Sequence, residues 1–207
     1  MLGACRHHQG REVLVREGYP ADHFLSICSG RVKLVASSGE GRLFLLRVVG
    51  PGDTVGLAAL LQGDAYRVTA ETIVPSCIKT IPRAAFLGFM GTHPDASRIA
   101  SLSLAREYNS AVLAARRLAL HTSAAGKLAS TLLDWASMDE INDSPVPTSL
   151  PVSFLMQLTH EELGNMAGIS RETVSRLLVR FRRDGQIQQI HNRMILKRPD
   201  QLEARYN

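Results

Sequence analysis

From Arg11 to Ile81 the apolar residues fall in short runs: EVLV at 12–15, HFLSIC at 23–28, RVKLVAS at 31–37, RLFLLRVV at 42–49 and ETIVPSCIKTI at 71–81. Turn formers separate them, in EGYPAD, SG, SSGEG, GPGD and QGDA. Runs this short, punctuated by Gly, Pro and Asp, predict an antiparallel sandwich or barrel. The first half is therefore expected to be all-β.

After Pro82 the periodicity changes. Between Pro94 and His121 no further Gly or Pro interrupts a stretch rich in Ala, Leu, Arg and Ser, so a helix of roughly seven turns is predicted. Leu104, Tyr108, Ala111, Ala115 and Leu118 recur at alternating spacings of four and three, the pattern of a coiled-coil seam. Ile99, Leu102, Ala105 and Val112 form a second stripe beside it. One stripe suffices to cover a helix's own domain. Two imply burial on a second side, most simply by the same helix of a second copy in a symmetric dimer. An HTSAAG connection, a helix at 126–138 holding Trp135 as a core residue, and the polar, proline-rich segment 139–151 follow. Its acidic run DEIND reads as a solvated linker in preference to a contact with a protein partner.

Thr159-His160-Glu161-Glu162 has the form of a capping box, so a short helix starts there. It runs through Leu163 and Met166 to Gly168, which supplies a left-handed turn; Ile169 plugs the corner and Ser170 caps a second helix. On that second helix Arg171, Glu172, Ser175 and Arg176 span roughly 0–140° of the wheel, and Val174, Leu177, Leu178 and Phe181 roughly 240–340°. The faces do not overlap. After Gly185, QIQQI, a turn HNR and MILK predict a two-stranded wing. Helix, turn, helix and wing in this order define a winged helix-turn-helix.

The first residues of such a second helix enter the major groove of double-stranded DNA and meet base edges. Arg can bond guanine O6 and N7, a carboxylate can accept from the cytosine N4 amine, and Ser suits several partners. Glu172 is informative, because a helix serving only as a phosphate-binding cation patch has no use for a carboxylate between two Arg. Arg171, Glu172, Ser175 and Arg176 are thus the expected base readers. His191 and Arg193 of the wing are expected at the DNA backbone, as are Arg180, Arg182 and Arg183 if they do not simply face solvent.

Composition narrows the setting. The chain has 207 residues, 45% hydrophobic, and a net charge of +5. That charge is local, since residues 171–198 hold eight Lys/Arg against two Asp/Glu while residues 124–207 balance at ten of each. No apolar run is long enough to span a bilayer and no apolar stretch follows the basic residues of the N-terminus, so a cytoplasmic protein without membrane partners is expected. Cys5, Cys28 and Cys77 are odd in number and far apart in sequence, poor material for a disulfide framework; Cys28 and Cys77 read as small core residues.

LTHEELGNMAGISRETVSRLL closely resembles the DNA-binding signature of the Crp/Fnr superfamily of bacterial transcription regulators. REGYPADHFLSICSGRVKLV and VVGPGDTVGLAALL resemble its cyclic-nucleotide-binding-like β-roll. The likeness covers nearly the whole chain. It implies an α+β fold with an antiparallel β-roll (a double-stranded β-helix) as sensor at 1–93, a dimerisation helix at 94–121 and a winged helix-turn-helix at 124–207. It implies base reading by Arg171, Glu172 and Arg176, with Ser175 as in the Fnr-like branch, and phosphate contacts from Thr159, Ser170 and Thr173. Members act as homodimers on inverted repeats and often recruit RNA polymerase.

The sensor half departs from the cyclic-AMP binders. Where their pattern resembles G-E-L-[GA] followed by Arg-Ser, this chain has Gly56-Leu57-Ala58-Ala59 and then Tyr66-Arg67-Val68. The ribose-binding Glu is replaced by Leu57, and the Thr-Ser pair that meets adenine corresponds to about Val112-Leu113. Gly56, Leu57 and Arg67 remain the candidate effector pocket, with an apolar ligand, or none, favoured over cyclic AMP. An iron–sulfur cluster wants about four thiolates and the N-terminus offers only Cys5. A haem ligand could be sought among Cys5, His7, His8 and Cys77, but their spacing singles none of them out. His160-Glu161-Glu162-Leu163 opens like a zinc-protease motif, yet residue 164 is Gly where the second His belongs, so no metal site is expected. No phosphate loop or catalytic triad spacing is present, and no enzyme is expected. The competing class is a ligand- or protein-binding sensor whose contact with DNA is weak or lost.

Overall fold

The computed structural model describes residues 5–139 and 151–206. Glu140–Asp143 of the acidic run lie outside the described residues. The chain forms two compact units whose boundary falls between Leu113 and Ala114. No helix among the described residues is long and apolar enough to cross a membrane.

The first unit is built from β1 (Cys5–His8), β2 (Val13–Val15), β3 (His23–Ser29), β4 (Val32–Ser37), β5 (Leu43–Val49), β6 (Thr54–Val55), α1 (Leu57–Gln62), β7 (Thr69–Thr72), β8 (Ser76–Pro82), α2 (Arg83–Thr92) and the start of α3 (Pro94–Leu120). Two antiparallel four-stranded sheets, β1-β8-β3-β6 and β2-β7-β4-β5, make the expected β-roll. Phe24, Ile27, Val32, Leu34 and Ile78 of the strands turn inward and share one core with Leu60 of α1. The single strand expected over 71–81 is two. Ile73–Pro75 breaks it, because Pro75 cannot donate to a ladder, and the halves join different sheets: β7 pairs with β4, β8 with β3.

The cysteines overturn two expectations. Cys28 is exposed and Cys77 only half-buried, so neither is a core residue, and Cys5 is bonded to Cys28. Strand register, invisible in sequence separation, is the reason. β1 places His7 opposite Cys77, β3 places Ser29 opposite Cys77 on the other side, and a bulge at Cys28 turns that side chain to the same outer face.

On α3, Ile99, Leu102, Tyr108 and Val112 stand between 38 and 69% exposed, and Ala105, Ala111 and Ala115 are exposed with them. Leu104 and Leu118 differ from the rest of the seam. Leu104 packs on the core of the first unit, and Leu118 lies beside Gly168 in the second. Glu107 is the awkward group on this helix. Its Oε2 and the Nε of Arg47 are buried without a hydrogen-bond partner. Burial pushes the Glu107 carboxyl above its ordinary value of 4.5, an effect that Arg47 only partly offsets. A carboxyl that holds its proton more tightly when folded contributes stability below its unfolded value and loses it as pH rises through the folded one. Glu107→Gln should therefore gain in melting temperature relative to the parent as pH is raised from about 4.5 to 7. A pH-independent difference in thermal melts would contradict this.

The second unit contains α4 (Ala124–Asp139), β9 (Val152–Leu155), α5 (His160–Ala167), α6 (Arg171–Arg183), β10 (Ile187–Ile190), β11 (Arg193–Leu196) and α7 (Pro199–Tyr206). The wing is three-stranded, not two: β9 pairs antiparallel with β11 in the order β10-β11-β9. Trp135 is buried as expected and donates its indole N–H to the Leu155 carbonyl at 3.0 Å, tying α4 to β9. Helix α7 closes over the end of α6. The Tyr206 ring lies 4.4 Å from Phe181, its hydroxyl donates to Asp184 at 2.7 Å, and the Arg180 guanidinium sits 5.2 Å above it. That hydroxyl, ahead of Arg183, Arg205 and Arg180, holds the Asp184 carboxyl below its ordinary value of 3.8. Stability from a depressed carboxyl is present above the unfolded value and is lost as pH falls. Tyr206→Phe should lower the melting temperature by a few degrees at neutral pH, and the deficit should shrink in acid.

Candidate nucleic-acid interface

The joint between α5 and α6 is built from local chemistry. Thr159 accepts from the Glu162 amide while the Glu162 carboxylate accepts from the Thr159 amide at 2.8 Å, a complete capping box. Gly168 ends α5 at φ 66°, in the left-handed region that favours glycine, and Ser170 caps α6 by accepting from the Thr173 amide at 3.2 Å. Gly164 is needed for contact, since a Cβ there would stand 2.6 Å from the Ile169 carbonyl oxygen. Val174, Leu178 and Phe181 are buried and anchor α6 by its apolar face.

That anchoring leaves Arg171, Glu172 and Arg176 exposed at the first turns of α6. Arg176 donates to the Thr173 hydroxyl at 3.3 Å, and Thr173 in turn bonds Ser170 at 3.1 Å. Glu172 is held below its ordinary value, first by its own backbone amide, then by the Ser170 hydroxyl and the flanking Arg171 and Arg176. It is a charged acceptor between two cations. Ser175 is different: its hydroxyl donates to the Arg171 carbonyl at 3.1 Å and shares a hydrogen bond with His160 Nδ1 at 2.8 Å. His160, which the sequence shows as part of the capping box and of a failed zinc motif, is thus a strut between the two helices. Its place at the first position of α5 was the available signal. At the other end of α6, Arg180 and Arg183 lie within 3.7 and 3.6 Å of Asp184. His191, in the left-handed region at φ 53°, and Arg193 are exposed at the turn of the wing.

The candidate effector residues differ in their surroundings. Gly56 has φ 83°, and a Cβ there would press on the Tyr66 ring at 2.6 Å, so the fold itself demands glycine. Tyr66 beneath it donates to the His23 carbonyl at 2.6 Å, and burial pushes its hydroxyl up to about 12. Arg67 is exposed and paired with Asp64. Leu57 lines a cavity of about 350 Å³ with Phe24, Ile81, Phe86, Ala100 and Ser103 around it, whose lining includes neither Gly56 nor Arg67.

A two-sheet roll followed by a winged helix-turn-helix defines a DNA-binding transcription regulator. Family models agree, a cyclic nucleotide-binding domain matching residues 5–93 and a Crp-like helix-turn-helix domain matching residues 126–205. The transcriptional regulator LdrP of Thermus thermophilus is 30% identical over 187 residues, 90% of this chain and 88% of that protein. The cAMP-activated global transcriptional regulator CRP of Pasteurella multocida is 27% identical over 180 residues, 86% of this chain and 83% of that protein. The structure of FixK2 from Bradyrhizobium japonicum superposes with a TM-score of 0.81 at 21% identity, covering 100% of this chain and 98% of that one, a likeness of fold. The chain belongs to the Crp/Fnr family of transcription regulators and is not an enzyme.

Proposed function

We propose that the protein works as a homodimer on an inverted-repeat operator, each copy of α6 reading one half-site, with the two half-sites about one turn of DNA apart. The observation that carries this reading is the exposed start of α6, where a charged acceptor, Glu172, stands between Arg171 and Arg176. Arginine donors suit guanine and a carboxylate suits the cytosine amine. Ser175 keeps an acceptor lone pair beyond its two present bonds, and donates to a base only by giving one of them up. Thr159, Ser170 and Thr173, with His191 and Arg193 of the wing, are assigned to phosphates.

The exposed stripe of Ile99, Leu102, Tyr108 and Val112 supports dimerisation through the helix of residues 94–121, between a sensor at 1–93 and the DNA-binding part at 124–207. RNA polymerase is the further partner this reading implies. For the effector, Leu57 at 2% exposure cannot serve a ribose, and the guanidinium of Arg67 already has a carboxylate. A small apolar ligand in the 350 Å³ cavity, or effector-independent action, fits these side chains better than cyclic AMP. Repeated selection of random duplexes on the purified protein tests the core of the proposal. Enrichment of one two-fold symmetric sequence is expected; enrichment of none, with and without cell extract, would overturn it.

A further inference from the structure

The outer face of the sheet β1-β8-β3 gathers all three cysteines of the chain. The Sγ atoms of Cys5, Cys28 and Cys77 lie within 4.8 Å of one another. Each comes from a different strand, with Cys77 on the central one, so hydrogen-bond ladders rather than a loose terminus set their spacing. None is needed for packing, because two are exposed and the third half-buried. Three thiolates around one ion at metal–sulfur distances of about 2.3 Å would stand roughly 3.8 Å apart, so the bonded Cys5 and Cys28 sulfurs separate on reduction while Cys77 already lies within 4.8 Å of both. Register also puts Lys79 opposite Cys5, a cation on the strand neighbouring thiols that must lose their protons.

We propose that Cys5, Cys28 and Cys77, in their reduced form, bind a single thiophilic cation of the Zn²⁺ or Cu⁺ class. Soft thiolate donors select such ions over Mg²⁺ or Ca²⁺. Binding converts three thiols to thiolates and releases three protons to solvent; no electron moves. The Cys5–Cys28 disulfide excludes the ion, since its two sulfurs are then not ligands. A dithiol reductant restores the site by taking up the bond: its two thiols become a disulfide while Cys5 and Cys28 each regain a proton. The ion would join the strand nearest the N-terminus to the two beside it, so the site reports thiol redox state and metal supply together.

The test uses the full chain, reduced with a phosphine, and Zn²⁺ titrated against a chromophoric chelator. One equivalent per chain is expected, with thiolate-to-metal absorption on substitution by Co²⁺. Cys77→Ser, which leaves both disulfide partners in place, should weaken Zn²⁺ binding by about 100-fold, and oxidation to the disulfide should weaken it similarly, with circular dichroism unchanged in both. The absence of a saturable equivalent would overturn the proposal. So would binding that survives Cys77→Ser but fails in a His7→Ala, His8→Ala double variant, which would place the ion on the terminal histidines.

Discussion

Gly164→Ala is expected to destabilise the second unit by about 1–3 kcal/mol and to abolish specific DNA binding. Alanine normally stabilises a helix interior by about 1 kcal/mol over glycine. Here the new methyl would stand 2.6 Å from the Ile169 carbonyl and 3.4 Å from the Arg171 amide, and backbone cannot swing aside as a flexible side chain can. The turn must open, and α6 leaves the angle at which its first residues present themselves. Gly88→Ala provides the contrast: it lies in α2 with nothing within 4 Å of the added methyl, so it should raise the melting temperature. Thermal melts and a mobility-shift titration check both. Equal responses from the two variants would mean that the joint is not as tight as described.

Arg176→Ala should remove preference at one base pair of each half-site, at about 1–3 kcal/mol per contact or roughly 5- to 150-fold in affinity. The residue projects from an anchored helix, so its loss should leave the fold intact. Arg176→Lys should not restore the preference, because an ammonium cannot make the two-pronged bond. Arg193→Ala should instead weaken binding to every sequence alike and reduce the salt slope by about one. Competition titrations across single-base operator variants separate these outcomes. Uniform loss in both alanine variants would refute the division of roles between α6 and the wing.

Sequence alone revealed most where structure is local. The capping box at Thr159, the left-handed Gly168 and the two-faced wheel of α6 depend on residues within one or two turns, and all are present as expected. What it missed is non-local. Strand β9 is four residues after a proline-rich stretch, and only its pairing with β11, some forty positions on, makes it a strand. β1 is almost wholly exposed and carries no alternation to detect. The cysteine cluster depends on the mutual register of three strands, one of them bulged, and so appears in no spacing rule. The pairing of Arg67 with Asp64, three residues before it, likewise depends on the turn between them and not on spacing alone.

The bond between His160 and Ser175 has a further implication. The serine hydroxyl lies 3.1 Å from the Arg171 carbonyl of its own helix and 2.8 Å from the imidazole Nδ1 of the helix before it, so one side chain ties the first turn of α6 to the first residue of α5. The angle at which α6 leaves the turn is therefore held by a polar tie as well as by its apolar face, and a substitution at either end of that tie reaches the exposed start of α6 without removing any of its charged side chains.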